Sequence, residues 1–566
     1  MPTNPKEHGG NPTEAAMVCR GVLPACSTTF LLLFAASWCI PKHSATAFAP
    51  PSVRTPAGRC SARALSTAAD TSDADKQQLP LPPRDETFNP FAMFKELQAS
   101  PDVLPEAERF DRVGRKTGGI WRSMIIGFLP STVVTAQQGS KWMVQEEGAE
   151  NLYQSFPTSV TQVLAGEKAL ISVSEQPKLH AIGRKPMSQA LSPKAVLELQ
   201  PVMASIVDDV IARLEGYAKS GQEVVLHDEL RIFTLEAIAV VFFGDYVTPE
   251  LMGNIKRYLP DIVDGLFSIP FRLPLILNRL PVLAFGKAMN AREEFKDAVL
   301  EVLAQRRADL ADGKVEKTAA IFDSFLEIQQ RQMGLEGQQG DVFDDDFIYD
   351  NVVLSMFAGT DTTAVTLTRI LQLLATAEDG IQITHKLLEE LTNTAKSDDD
   401  ELDSSTESGS RGASRPGILQ EFPLLDAVIL EAFRLHPTVP GLFRKTRKDV
   451  NYNGYLIPKG KTVNFNFIHG LRAKSLYPVP QKFCPFRFLH ADKDKEPEQP
   501  IPPMFGVGRH MCPGRELAKL EILLFLKSFL TKFDYQLVEG QSVKGVLPAN
   551  APEDKLRVVL KVKASP

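Results

Sequence analysis

The stretch FGVGRHMCPGRELAKLE, Phe505–Glu521, sets a cysteine, a histidine and three glycines ahead of an apolar run. A cysteine thiolate is a metal ligand and a nucleophile. Pro513 suits the first turn of a helix, where its missing N–H has no intrahelical partner. Leu517, Leu520, Leu524 and Phe525 recur behind it at helical spacing. Cys512 is thereby expected at the helix N-cap, beside unpaired N–H groups and the positive end of the dipole, a setting that favours the thiolate. Gly506, Gly508 and Gly514 bare the backbone on both sides of the sulfur, leaving room for a large flat ligand. On these residues alone, a buried structural cysteine beside a glycine turn accounts for the pattern equally well.

A second segment, LSMFAGTDTTAVTLTRILQLL (Leu354–Leu374), reads as a long apolar helix with Gly359, Asp361, Thr362 and Thr363 in its middle. Glycine costs about 1 kcal/mol inside a helix. A threonine hydroxyl can take the carbonyl four residues back and open the ladder. Thr362 is expected to take the Ala358 carbonyl and make a local groove; a tolerated kink in a core helix uses the same residues. In EAFRLHP, Glu431 and Arg434 lie three apart and can pair on a helix. In KLHAIGRKPMSQALSP, His180 and Arg184 lie four apart on one helical face, a spacing also common on solvated surfaces. GLFRKTRKDVNYNGYLIPKG alternates apolar positions around an Asn-Gly pair, the pattern of a hairpin.

These groups need helices to hold them, and the chain after a proline-rich entry (LPLPPRDETFNPF) is mainly helical in pattern, with strand signal only towards the C-terminus. Its 566 residues are 43% hydrophobic and 23% charged, ordinary for a globular protein. A net charge of -6 argues against nucleic-acid binding. Of six cysteines, Cys19, Cys26, Cys39 and Cys60 fall in the leader region and only Cys484 and Cys512 lie beyond, so neither a disulfide scaffold nor structural zinc is expected. Lys396 to Gly417 is a polar, acidic, Ser-rich insert and reads as a solvated loop. Phe267 to Gly286 is apolar but proline-broken, which suits a lip over a pocket or peripheral membrane contact as well as ordinary packing.

Residues 22–40 form an apolar run behind Arg20, short for a membrane span and better suited to a signal peptide. From Phe48 to Ala69 the chain carries Arg54, Arg59 and Arg63 and no acid until Asp70, as a transit peptide does. The order resembles the bipartite plastid leader of algae with secondary plastids, with cleavage between Ala47 and Phe48. The expected organisation is a signal-like segment at 1–47, a transit-like leader at 48–80 and one catalytic domain at 81–566. An endoplasmic-reticulum signal anchor is the alternative.

Phe505, Gly508, Cys512 and Gly514 match F-x-x-G-x-x-x-C-x-G, and in this the chain resembles the cytochrome P-450 superfamily. Ala358, Gly359, Asp361, Thr362 and Thr363 match the family's A-G-x-D-T-T in the right order upstream. The resemblance implies a mainly α fold with small β-sheets, with haem b between the central helix and the cysteine-loop helix. It makes Cys512 the iron ligand and Ala358, Gly359, Asp361 and Thr362 the oxygen-binding groove, with Asp361 and Thr362 managing protons. Glu431, Arg434 and Arg487 would form the family's structural Glu-Arg-Arg cluster, although Phe486 stands where an acid is usual. His180, Arg184, Arg444 and His510 would meet the haem propionates; His510 replaces the more frequent arginine, as in some sterol- and abscisate-oxidising relatives. Dioxygen is the implied co-substrate, and no GxGxxG marks a flavin or nicotinamide site. Electrons would come from a separate protein, ferredoxin-like in a plastid or a reductase at the endoplasmic reticulum, with Arg509, Arg515 and Lys519 as candidate docking cations. The expected enzyme is a monomeric monooxygenase of an apolar, isoprenoid-derived substrate, most similar to the branch with abscisic-acid, retinoic-acid and steroid hydroxylases. A haem-thiolate isomerase or dehydratase of hydroperoxides, and a non-catalytic haem sensor, are the competing readings.

Overall fold

The computed structural model describes residues 79–85, 106–125, 129–155, 159–266, 283–314, 320–333, 343–393, 418–489, 499–546 and 550–564. All fall in the compact unit Thr71–Pro566. The leader up to residue 78, the polar insert 396–417 and residues 267–282 of the proline-broken run lie outside the described residues.

The helices in chain order are α1 (Glu106–Thr117), α2 (Ala136–Gly148), α3 (Ser159–Ala165), α4 (Pro177–Ala190) and α5 (Pro193–Glu198). Then come α6 (Gln200–Ser220), α7 (Leu226–Phe243), α8 (Pro249–Leu266), α9 (Ala284–Ala311) and α10 (Ile321–Met333). The last are α11 (Asp345–Thr376), α12 (Gly380–Asn393), α13 (Pro423–Leu435), α14 (Ile468–Leu471) and α15 (Arg515–Lys532). The 32 residues of α11 make a rod roughly 48 Å long. Asp344 caps it, accepting from the Phe347 N–H at 3.0 Å, and Asp345 and Asp346 in its first turn suit the dipole. The first half of α11 joins one apolar cluster, with Phe347, Val353 and Met356; its second half joins another, with Leu367, Ile370 and Leu374. Helix α15 buries Leu520 in the first cluster and Phe525, Leu526 and Phe529 in the second. The two helices therefore share both cores, and their relative position is fixed by burial rather than by loops.

A five-stranded sheet is ordered β1 (Ile120–Ile125), β2 (Leu129–Thr135), β8 (Thr462–Asn466), β5 (Gly441–Thr446), β3 (Leu152–Gln154). Only β2–β8 is parallel. Sequence reading did not anticipate β1–β3. Their apolar stretches are short, and a brief β-branched run such as STVVT does not by periodicity declare itself a strand. The hairpin is narrower than expected: β6 (Val450–Tyr452) and β7 (Tyr455–Ile457) pair across Asn453 and Gly454, with φ of 50° and 80°. β5 instead joins the large sheet. Residues 79–85 of the proline-rich entry lie along the outer edge of β1, Asp85 N–H donating to the Arg122 carbonyl at 2.9 Å and Arg122 N–H to the Pro83 carbonyl at 2.7 Å. Among the described residues no helix is long and apolar enough to cross a membrane.

Candidate active site

The cysteine loop is shaped by two glycines at positive φ, Gly506 (74°) and Gly508 (73°), where a side chain would be strained. Cys512 N–H donates to the Phe505 carbonyl at 2.8 Å, and Met511 N–H to the Gly508 carbonyl at 3.1 Å. The half-buried Arg184 of α4 donates to the Met511 carbonyl. Helix α15 begins two residues later than the sequence suggested. Its N-cap is Gly514, and Pro513 stands in the turn before it, so Cys512 precedes the helix instead of capping it. The Gly514 N–H still reaches the sulfur. The thiol is accessible at its surface, yet enough protein surrounds it that burial pushes its pKa up, against the Gly514 N–H and the charges of Arg184 and Arg515. The chain alone does not hold this exposed cysteine as a free thiolate. Metal binding, which removes the proton, is the chemistry such a site serves.

Behind the loop, five side chains form one connected polar cluster. His510 accepts or donates at Ser174 Oγ through Nε2 (3.0 Å), and its Nδ1 lies 3.3 Å from Glu147 Oε1. The His510 and His180 rings are 4.7 Å apart. Arg444, 1% exposed, forms an ion pair with Glu147. Burial lowers the pKa of His510, and Glu147 only partly offsets it. Burial, then His510, Arg184 and Arg509, bring His180 down to about 3, so both rings are neutral at pH 7. For Glu147, burial pushes the carboxyl up, but His510 and Arg444 together win and the net direction is down. Glu147 was not singled out from the sequence. It stands in QEEG beside Glu146, and nothing in the string says which acid turns inward. Gly508 explains the fit, since a Cβ there would come within 3.0 Å of Glu147 Oε2 and 3.2 Å of Val144 Cγ2.

On α11, Thr362 Oγ1 donates to the Ala358 carbonyl at 2.8 Å, as the sequence led us to expect. Ala358 is exposed although Met356, Thr360 and Thr363 are 0%, 3% and 4% exposed. A small residue bared at the centre of a buried helix is the groove. Gly359 has a separate reason: a Cβ would meet Ile238 Cγ1 of α7 at 2.9 Å. Asp361 is paired with Arg231 of α7 at 2.7 Å, a partner 130 positions upstream that no local pattern reveals. Thr363, next to the groove, hydrogen-bonds the buried Glu521 of α15 and so joins the cysteine helix to the central one.

The Glu431–Arg434 pair is fully buried at 2.7 Å, and Arg487 joins Glu431 at 3.1 Å. Arg434 Nη1 also donates to the Leu471 and Pro480 carbonyls, tying α13 to the segment before the cysteine loop. Phe486, where an acid was expected, turns outward under Lys386, whose Nζ lies 5.0 Å from the ring centroid. Of the candidate docking cations, Arg515 pairs with Glu516 at 2.8 Å and Lys519 with Asp426 at 3.1 Å, while Arg509 is exposed.

The residues fit a haem. Buried Arg444 keeps one guanidinium nitrogen, Nη2, without an acceptor, a costly arrangement unless an anion meets it. Arg184 and His180 reach the cysteine loop through their contacts with the Met511 carbonyl and the His510 ring. A bare-sided thiol, a small-residue groove and cations suited to two carboxylates are the donor set that group requires.

A model of the cytochrome P450 family matches residues 94–558. The chain is 27% identical to abscisic acid 8'-hydroxylase 1 of Arabidopsis thaliana, over 85% of this chain and 91% of that protein. It is 29% identical to (1S)-1-hydroxy-luvungin A synthase CYP88A37 of Citrus sinensis, over 79% and 82%. Among solved structures, retinoic acid bound cyanobacterial CYP120A1 superposes with a TM-score of 0.66, covering 86% of this chain and all of that one at 24% identity.

Proposed function

This chain belongs to the cytochrome P450 family and is a monooxygenase, and from that premise we propose that it inserts one oxygen atom of dioxygen into an isoprenoid-derived substrate (carotenoid, retinoid or sterol-like), with Cys512 as the iron ligand. The observation that carries the ligand assignment is the accessible Cys512 sulfur on a loop pinned by Phe505 and Arg184. The likeness to an abscisic acid hydroxylase supports the substrate class.

Haem, when bound, supplies the one-electron and dioxygen chemistry, tuned by its axial thiolate. The chain's own residues do the rest. The Gly514 N–H and the charges of Arg184 and Arg515 favour sulfur in its anionic form against the burial that opposes it. Arg444 Nη2, Arg184 and His180 would take the group's two carboxylates, while His510, also expected there, has its ring nitrogens turned to Ser174 and Glu147. Thr362, its proton committed to the Ala358 carbonyl, presents Oγ1 lone pairs to a water in the groove, and the Asp361 carboxylate, held by Arg231, would order the water chain behind it. Buried Met356 on α11, whose carbonyl takes the Thr360 hydroxyl, keeps the inner side of that turn packed against protein. If the leader directs the chain to a plastid, the electron donor is a small acidic ferredoxin-like protein, and exposed Arg509 is a candidate docking cation near the loop.

Cys512→Ser tests the assignment. It should abolish the reduced carbon-monoxide band at roughly 450 nm that marks thiolate ligation; a variant that keeps the band overturns it. Screening plastid and sterol lipids for a shift of the haem spectrum tests the substrate class, and binding confined to non-isoprenoid lipids would refute it.

A further inference from the structure

Three side chains of α7, at positions 231, 234 and 238, share one helical face and reach a single turn of α11. Arg231 Nε lies 2.7 Å from Asp361 Oδ1. Thr234, fully buried, has its hydroxyl 3.0 Å from the Thr360 carbonyl as well as 3.0 Å from the Leu230 carbonyl of its own helix. Ile238 fills the space that a side chain at 359 would need. The turn so gripped is weakly supported by its own sequence. It contains a glycine, and two of its threonines bond back into the helix, Thr360 to Met356 at 2.6 Å and Thr362 to Ala358 at 2.8 Å. Back-bonding of this kind bends a helix and takes acceptor capacity from the ladder.

We propose that Arg231 and Thr234 are positioning residues for the proton-delivery turn of α11. Arg231 fixes the direction of the Asp361 carboxylate, Thr234 holds the Thr360 carbonyl, and together they keep Thr362 aimed into the groove. This rests on the monooxygenase reading of that groove. It adds that the geometry is imposed from α7, a helix none of whose residues belongs to the cysteine loop or to the polar cluster behind it. Substitution at these two positions should loosen residues 358–364 and leave thiolate ligation intact.

The test is hydrogen exchange on the full-length, haem-loaded protein, together with the solvent deuterium isotope effect on peroxide release when dithionite-reduced protein meets air-saturated buffer. Thr234→Val and Arg231→Gln should each raise exchange at 358–364 by about five- to tenfold, the effect of one lost hydrogen bond on a local opening equilibrium. Both should increase the isotope effect and retain the carbon-monoxide band, and Arg231→Lys should restore most of both properties. Glu236→Gln on the same helix, which cuts a 2.8 Å pair with Lys256 of α8, should leave exchange at 358–364 unchanged. Exchange and isotope effects equal to the unsubstituted protein's would overturn the proposal, as would an increase spread evenly over 345–376. A protein that binds no haem would sink the monooxygenase reading instead, while exchange in the same variants would still decide whether α7 grips the turn.

Discussion

Glu147 carries the heaviest burden of any single side chain in the candidate site. It is 1% exposed and neutralises an arginine that is equally buried, and removing one member of such a pair costs about 3–5 kcal/mol. Glu147→Ala should therefore lower the thermal unfolding midpoint and the haem-to-protein ratio together, with Glu147→Gln milder on both; an unchanged haem ratio would show that Arg444 does not need this partner. Thr362→Ala, by contrast, should leave folding and the carbon-monoxide band alone and divert reducing equivalents to peroxide, measured as peroxide formed per electron consumed. The contrast explains what could be read from the string. Cys512, Thr362 and Arg434 are chemically distinctive at their spacing; the structure gives Thr362 and Arg434 the local bonds expected of them, while Cys512 lies before the N-cap it was expected to hold. Glu147, Ser174 and Arg231 are ordinary residue types on ordinary helices, and only the tertiary fold selects them.

Between elements, one close constraint is the crossing of α7 and α11. Gly359 is legible in sequence as an oddity in an apolar helix, but its cause is Ile238, whose Cγ1, Cβ and Cδ1 would lie 2.9, 3.1 and 3.2 Å from a Cβ at 359. Gly359→Leu should destabilise the protein by about 2 kcal/mol, overpacking outweighing the gain in helix propensity. Ile238→Ala in the same chain should return part of that loss, a non-additivity read by a double-mutant cycle in denaturant. Strictly additive losses would show that the helices do not compete for this space. The long helices were readable because their apolar period runs for many turns, as in α11 and α15. Strands β2 and β3 were not, since their partners β8 and β5 lie some hundreds of residues downstream and no local signal encodes that meeting, and β1 pairs only with β2.

Taken whole, the molecule buries neutral histidines, and this sets its response to acid. His227, 6% exposed and 3.0 Å from Thr368 Oγ1, has its pKa lowered by burial and by Arg231, Lys555 and Arg369, to about 4, with Asp228 opposing. The unfolded chain binds this proton near pH 6.5 and the folded chain does not, so stability is full above that pH and falls as the solution is acidified towards pH 4. The share of His227 is on the order of 3 kcal/mol at full protonation. Unfolding midpoints of the haem-loaded protein should drop between pH 7 and pH 5, and His227→Gln should flatten that slope; an equal slope in the variant would remove His227 from the account.

The strip of chain at 79–85 along β1 has a consequence for where the chain can be cut. It occupies the N–H and carbonyl of Arg122 on the edge strand, and its Pro80 carbonyl also receives the Leu456 N–H at 2.9 Å, so one short peptide bolts the hairpin to the sheet. Proteolytic trimming that ran past Asp85 would strip this cover and leave a bare β-edge able to recruit a neighbouring molecule. Loss of Pro80 alone would release the Leu456 N–H, and loss of the strip through Asp85 would also release the Arg122 N–H and carbonyl.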